Sequence, residues 1–378
     1  MFARPTVNRF QSYAELLASG RRALGALQAI DGLTAGQSLV LQIADRQVHF
    51  AIFWGCLLGG IIPVTIAIPP RHEASNAVVL KLLSTIAQLD ARNVLASTAN
   101  VAALRALLPT TACVLDVHAL EWSRADELGD AIAEAAITPE HVAFYQLTSG
   151  STGTPKVIPE RHGAIISHIR HSAVHCGYTR SDVTLNWLPF DHVVPMLTCH
   201  LADIYLGRHA VQIPTHQLIA DPLLWMRTIA EHRVTHSWSP NFGFKLVAQA
   251  IERAGSAWTP LDLTTVKHLM NAGEQVTAEV CDAFLRATGL PARVMQPAFG
   301  MAEVCTCMTY CNDYEHGALL KVQKGSLQEA ILRFADASTP ANQITTFMNL
   351  GPVSPGVEMR IAANGGTHVL RERQIGHL

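Results

Sequence analysis

Short runs of β-branched and other apolar residues alternate along the chain with longer stretches in which apolar positions recur at helical spacing. That alternation is the pattern of parallel strands covered by helices on both faces. It predicts strands in SLVLQIA from Ser38, IIPVTIAI from Ile61, NVLAS from Asn93, CVLDV from Cys113 and VAFYQLT from Val142. Further strands are predicted in TLNWLP from Thr184, HAVQI from His209, VTHSW from Val234, VKHLMNA from Val266 and ARVMQPA from Ala292, with helices between most of them. Asp221 followed by Pro222 reads as an N-cap with proline in the first turn, and Thr277 as the cap of a helix ending near Gly289. Beyond about residue 312 the pattern weakens into a polar connection. From Val357 it resumes as two short strands, VEMRIA and HVLRE, around the turn residues Asn364, Gly365 and Gly366. The expected fold class is therefore α/β: two doubly wound αβα lobes over residues 1–350, then the start of a β-rich subdomain over 351–378.

One apolar run changes the picture if misread. Residues 50–68 are 19 in a row without a charge, the usual length of a membrane span. Gly55, Gly59, Gly60 and Pro63 interrupt it, which divides it into a helix over roughly 46–59 and a buried strand from Ile61. The expectation is no membrane. With 28 Lys and Arg against 30 Asp and Glu, a net charge of −2 provides no field for a polyanion, so nucleic acid is not expected as a partner. Eight Cys are scattered through the chain, and MFARPTVNRF is too polar for a signal segment, which points to free thiols in a cytoplasmic setting.

The strongest candidate chemistry lies in residues 148–156, TSGSTGTPK, directly after the strand VAFYQL and before a helical stretch from about Glu160 to Cys176. Two glycines let backbone N–H groups converge, hydroxyls add donors and Lys156 adds a charge, which together suit phosphate oxygens. A Gly/Ser/Thr run alone could equally be a flexible linker. The loop is not a Walker A motif, because Pro155 precedes Lys156 and Val157 follows it.

With its flanking strand and Pro-Lys, the segment resembles the phosphate loop of the adenylate-forming, AMP-binding superfamily. Three further segments are similar to that family's motifs in the same order: NWLPFDHV from Asn186, MNAGEQV from Met270 and FGMAE from Phe299. Within the superfamily, FWGCLLGGIIPV from Phe53, SPNFGF from Ser239, NAGEQV and GMAE resemble fatty-acyl-AMP ligases and the acyl-ligase loading domains of polyketide and hybrid nonribosomal peptide synthetases. The resemblance implies activation of a carboxylic acid with ATP and Mg²⁺, and transfer of the acyl group to the phosphopantetheine thiol of an acyl or peptidyl carrier protein.

It also implies roles for individual residues. Thr148, Ser149, Gly150, Ser151, Thr152, Gly153 and Lys156 would hold phosphates, and Glu303 would hold Mg²⁺, as suits a hard dication. Asn271, Ala272, Gly273 and Glu274 would contact adenine, Phe299 would stack on it, and Gly300 and Met301 would complete the nucleotide site. His192 would stand between adenylate and acid, with Asn241 and Phe242 also on the acid side. The family usually has Tyr where Phe299 stands and often Thr where Met301 stands. Asp191 replaces the aromatic that fatty-acyl relatives carry; amino-acid-activating domains use an Asp of this kind to pair a substrate ammonium, so Asp191 is expected to recognise a polar or cationic group.

Two clusters suggest metal instead, His168, His171 and His175 on one helical face and Cys305, Cys307 and Cys311, but neither has the paired spacing of a structural zinc site. The family's ribose-binding Asp and mobile C-terminal lid have no counterpart, so the chain is expected to be an N-terminal portion that turns over poorly by itself. The readings left open are an amino-acid adenylation domain, an acyl-CoA ligase and a non-catalytic acyl-binding module.

Overall fold

The computed structural model describes residues 9–122, 134–148, 155–317 and 319–378. They form two compact units, Met1–Ile166 with Phe190–Val193, and Ser167–Pro189 with Val194–Leu378.

In the first unit, helices α1 (Tyr13–Leu27), α2 (Arg46–Leu58), α3 (Ala77–Leu89) and α4 (Thr98–Leu107) alternate with strands β1 (Ser38–Gln42), β2 (Ile62–Thr65), β3 (Asn93–Ala96) and β4 (Cys113–Asp116). The strands pair in parallel in the order β2-β1-β3-β4. The chain leaves β1 to one side and returns to the other, as in a doubly wound sheet. Both faces are buried: Val40, Val64, Val94 and Ala96 pack on Leu82, Ile86, Val101 and Leu104 of α3 and α4. Leu39, Leu41 and Leu95 pack on Ala23, Leu27, Ile52 and Cys56 of α1 and α2. This explains why the strands read as continuous apolar runs rather than alternating ones. Local chemistry starts the helices. Ser12 and Glu15 form a capping box on α1, and the Asp45 carboxylate accepts the N–H groups of Gln47 and Val48 at the start of α2. The uncharged run of 50–68 is α2 followed by β2, and no helix among the described residues is long and apolar enough to cross a membrane.

Strands β5 (Val142–Thr148) and β6 (Lys156–Arg161) close the unit as an antiparallel pair with Thr148 opposite Lys156. The expected passage from loop to helix at about Glu160 is thus corrected. A strand intervenes, and the helix α5 runs over His162–Cys176. Val157 and Ile158 favour extended backbone, and Pro159 resists a helix.

The second unit is built on β7 (Val183–Asn186), β8 (His209–Gln212), β9 (His236–Ser239), β10 (His268–Asn271), β11 (Met295–Gly300) and β12 (Cys307–Tyr310), in the order β12-β11-β10-β9-β7-β8. All pairs are parallel except β11 with β12. From β7 the chain steps to β8 on one side and then to β9 on the other, so a second switch point lies between β7 and β9. A π-helical segment, Pro195–Leu201, leads into α6 (Ala202–Leu206), followed by α7 (Thr215–Ala220), α8 (Leu223–His232), α9 (Asn241–Ala254), α10 (Ala278–Thr288) and α11 (Tyr314–Gly317). Trp225, Phe244 and Phe284 form the centre of its core, with Trp225 Nε1 donating to Ser237 Oγ at 2.9 Å.

Three expectations differ from the structure. Asp221 does not cap α8; its carboxylate pairs with Arg227 instead. The stretch after 312, expected as a polar connection, contains β13 (Leu319–Gln323) and β14 (Ile344–Met348), paired antiparallel across the intervening residues. VEMRIA and HVLRE form only isolated bridges, Ala362 to Val369 and to His377, and Arg373 at φ 68° turns the chain directly after HVLRE.

Candidate functional site

The segments that sequence singled out in the second unit all lie at the carboxyl ends of its parallel strands. The residues after β7 lead to Trp187, those after β9 to Asn241 and Phe242, those after β10 to Ala272, Gly273 and Glu274, and β11 ends in Phe299 and Gly300 before Met301 and Glu303. Open α/β sheets bind ligands at this edge, beside the switch point. Phe242, Phe299 and Met301 are large apolar side chains left 42%, 36% and 39% exposed there.

Two of these segments are fastened together by their own polar groups. Ala272 N–H donates to Ser239 O at 3.3 Å, and Asn271 Nδ2 to Asn241 Oδ1 at 3.0 Å. Asn241 Nδ2 donates to Thr277 Oγ1 at 3.2 Å, and Phe242 N–H to Glu274 Oε1 at 2.6 Å. Thr277 does precede α10, but its hydroxyl serves Asn241 rather than the helix. Glu274 meets an N–H in the first turn of α9, where a carboxylate is favoured by the exposed backbone donors. Gly273 has φ 89°, a conformation open to glycine and strained for other residues. Asn271 is fully buried, and its Oδ1 has no hydrogen-bond partner among the described residues.

The FGMAE segment is shaped by backbone contacts. A bulge falls between Phe299 and Gly300, where a Cβ on Gly300 would lie 2.0 Å from Thr306 O. Met301 N–H donates to that same oxygen at 2.9 Å. Glu303 then sits exposed on a single 3₁₀ turn, Ala302–Val304. Behind it Thr306 N–H reaches Val304 O at 3.0 Å around Cys305, whose φ of 70° and ψ of −68° make a strained γ-turn.

In the first unit, Thr148 and Lys156 face each other at the ends of the β5–β6 pair, and Gln88 Nε2 donates to Pro155 O at 3.1 Å. Ser149, Gly150, Ser151, Thr152 and Gly153 lie outside the described residues. Asp191 is half-buried and His192 exposed, both on the four-residue segment Phe190–Val193. Lys81 of α3 feels the Asp191 carboxylate: burial lowers its pKa and Asp191 pulls it back upward. A residue that sequence reasoning passed over, Gln146 in β5, donates from Nε2 to Asp191 O at 2.8 Å. The signal was present, since it is a lone polar residue at a buried position of an apolar strand.

The clusters that suggested metal serve the fold. His168 hydrogen-bonds Thr306 Oγ1, His171 lies against Gly356, and Asn312 donates to His175 O. Burial pulls His168 down to about 4 and pushes the Cys307 thiol up to about 12. All eight cysteines are free thiols.

Comparison with known proteins identifies the family and the fold. Residues 3–378 match the AMP-binding enzyme family, and the chain belongs to that family. It is 29% identical over 356 residues to microperfuranone synthase of Emericella nidulans, covering 93% of this chain and 35% of that protein. A solved adenylation domain of a keto acid-selecting NRPS module, bound to keto acyl adenylate, superposes with a TM-score of 0.86 at 27% identity, over 99% of this chain and 70% of that one. The fatty acid AMP ligase of Legionella pneumophila shares the fold, with a TM-score of 0.85 at 22% identity over 99% of this chain and 64% of that one. The chain spans about a third of the length of the curated relatives it matches.

Proposed function

We propose that this chain activates a carboxylic acid as its acyl-adenylate. The observation that carries the reading is the gathering of Asn271–Glu274, Phe299–Glu303 and Asn241–Phe242 at one carboxyl edge beside a switch point. In the reaction a carboxylate oxygen of the acid bonds to the α-phosphorus of ATP. The bond from that phosphorus to the bridging oxygen breaks, and pyrophosphate leaves with the electron pair. The protein's task is alignment of two anions.

The residues present fit the nucleotide. The orphaned Asn271 Oδ1 is an acceptor for an amino group such as adenine carries, and Phe299 offers an exposed ring for stacking. Thr148, Lys156 and the loop between them would hold phosphates. Mg²⁺, when bound, would neutralise phosphate charge, and the exposed carboxylate of Glu303 would be an oxygen donor for it. Glu274 and Asn241 would act as braces for the adenine loop, given their mutual hydrogen bonds. The acceptor of the acyl group would be a carrier-protein thiol, in polyketide, nonribosomal peptide or lipid biosynthesis, and free buried thiols suit a reducing cytoplasm.

Asp191 separates two classes of acid. It would pair a cationic group on the substrate if its charge were otherwise unbalanced. A polar or cationic group on the acid is therefore what Asp191 would recognise. A thermal-shift titration tests the nucleotide site. ATP with Mg²⁺ at a hundred times its Kd adds about 2.7 kcal/mol, and an unmoved melting temperature overturns the proposal. A pyrophosphate-exchange panel of keto, hydroxy, amino and plain fatty acids, run on a complete protein because this chain is expected to turn over poorly by itself, then tests Asp191: an unchanged ranking in Asp191→Ala removes it from acid recognition.

A further inference from the structure

The chain between β7 and the π-helical segment makes a short excursion. Phe190–Val193 belongs to the first unit, while Pro189 before it and Val194 after it belong to the second. Within the first unit the contacts of the excursion include a ring contact and a polar one. The Phe190 ring meets Phe50 edge to face at 4.8 Å and lies under the Arg46 guanidinium at 5.3 Å. The other contact is the Gln146 amide, which is 5% exposed on an apolar strand whose neighbour Phe144 packs on Phe53 at 5.7 Å.

A buried amide is costly unless its donors are used. Gln146 Nε2 reaches Leu147 O at 3.3 Å, a long bond to its own neighbour, and Asp191 O at 2.8 Å, a good bond to a residue 45 positions away. Gln146 and Thr148 are two apart on β5, so both side chains leave the same face of the strand. The strand that feeds the TSGSTGTPK loop therefore also holds the backbone of Asp191, and His192 follows it directly.

We infer that Gln146 is a positioning residue: its amide fixes the Phe190–Val193 segment on β5 and so sets where Asp191 and His192 meet the acid relative to the start of the phosphate loop. The inference rests on the acid-activating function proposed above. Gln146 touches no substrate in this scheme; it acts through the carbonyl of Asp191. Apolar packing of Phe190 alone would retain the segment, but a ring can slide and rotate in its pocket, whereas a hydrogen bond to the next carbonyl fixes its height along the strand.

The test compares wild type with Gln146→Leu and Gln146→Met, both of similar size and both lacking the donor. Hydrogen exchange read by mass spectrometry on peptides covering 188–194 reports the segment, and peptides covering β5 and β6 report the strand pair. The expected result is faster exchange, about tenfold, confined to 188–194, the scale of one lost hydrogen bond to a buried acceptor. In pyrophosphate exchange the acid concentration for half-saturation should rise about 3- to 10-fold in both variants with that for ATP unchanged. Unchanged exchange in 188–194, exchange that rises equally through β5 and β6, or equal losses for acid and ATP overturns the inference. If the complete wild-type protein, with its C-terminal lid, shows no acid-dependent pyrophosphate exchange, the proposed function fails, while the hydrogen-exchange comparison still decides whether Gln146 holds the segment.

Discussion

Gly300→Ala is the most direct probe of how the second unit presents Glu303. A methyl group at Gly300 would sit 2.0 Å from Thr306 O, 2.4 Å from Cys307 Cα and 2.5 Å from Thr306 C, where ordinary contacts begin at 3.4 Å. All three are backbone atoms, so no side-chain rotation relieves the clash. β12 must retreat by more than about 1 Å, and the Met301 N–H to Thr306 O bond lengthens with it. Overpacking of this kind costs about 1–3 kcal/mol, which lowers the melting temperature of a unit this size by about 2–4 °C per kcal/mol. The consequence for function is larger. The 3₁₀ turn carrying Glu303 hangs from that hydrogen bond, and a misplacement of about 1 Å in a charged group reduces turnover by about a hundredfold. Calorimetric melting with and without ATP and Mg²⁺, together with pyrophosphate exchange, measures both effects. Gly325→Ala is the control, since nothing lies within 4 Å of its added Cβ. A Gly300→Ala protein that melts within about 1 °C of Gly325→Ala and responds equally to ATP would show that the bulge does not set the Glu303 turn.

Three other outcomes are expected. Cys305→Gly should raise stability by about 1 kcal/mol in urea melts, because glycine relieves a γ-turn at φ 70°; a destabilised variant would mean that the buried thiol outweighs the strain. Acid should weaken the first unit through His49, which burial first and Arg46 second pull down to about 4 from 6.5. The folded form keeps it neutral while the unfolded chain takes up a proton below 6.5. Stability is therefore full above about pH 7 and falls by about 2 kcal/mol by pH 5, and His49→Gln should flatten that slope in urea melts across this range. Asn241→Ala should weaken ATP binding about tenfold in a calorimetric titration without changing the acid preference, since it removes three hydrogen bonds that fasten the adenine loop; a shift in preference with unchanged ATP affinity would place Asn241 on the acid instead.

Much of the fold was legible because its strands are short and buried on both faces. Runs such as Leu39–Val40–Leu41 cannot be anything but core, and each predicted run in the two parallel sheets contains a strand. What escaped were β6, β12, β13 and β14, each of which pairs antiparallel. β6 carries Pro159, β12 lies within a cysteine-rich stretch, and β13 and β14 are partly exposed, so their composition resembles loops. The cap at Asp221 failed for a different reason: a nearby arginine outcompeted the helix for its carboxylate.

The order of motifs and the class of chemistry were determined by the sequence alone, since each motif is a local string following an apolar strand, and a strand's end needs no distant partner to be recognised. Only the tertiary structure decided which polar side chains pair with one another. Asn241 and Glu274 tie residues 271–274 to α9 across about 30 residues, His168 reaches Thr306 across 138, and Gln146 holds Asp191 across 45. Such pairings depend on strand order, because polar groups buried at a sheet edge take whichever partner the neighbouring strand supplies, and sequence distance carries no record of which strand that is.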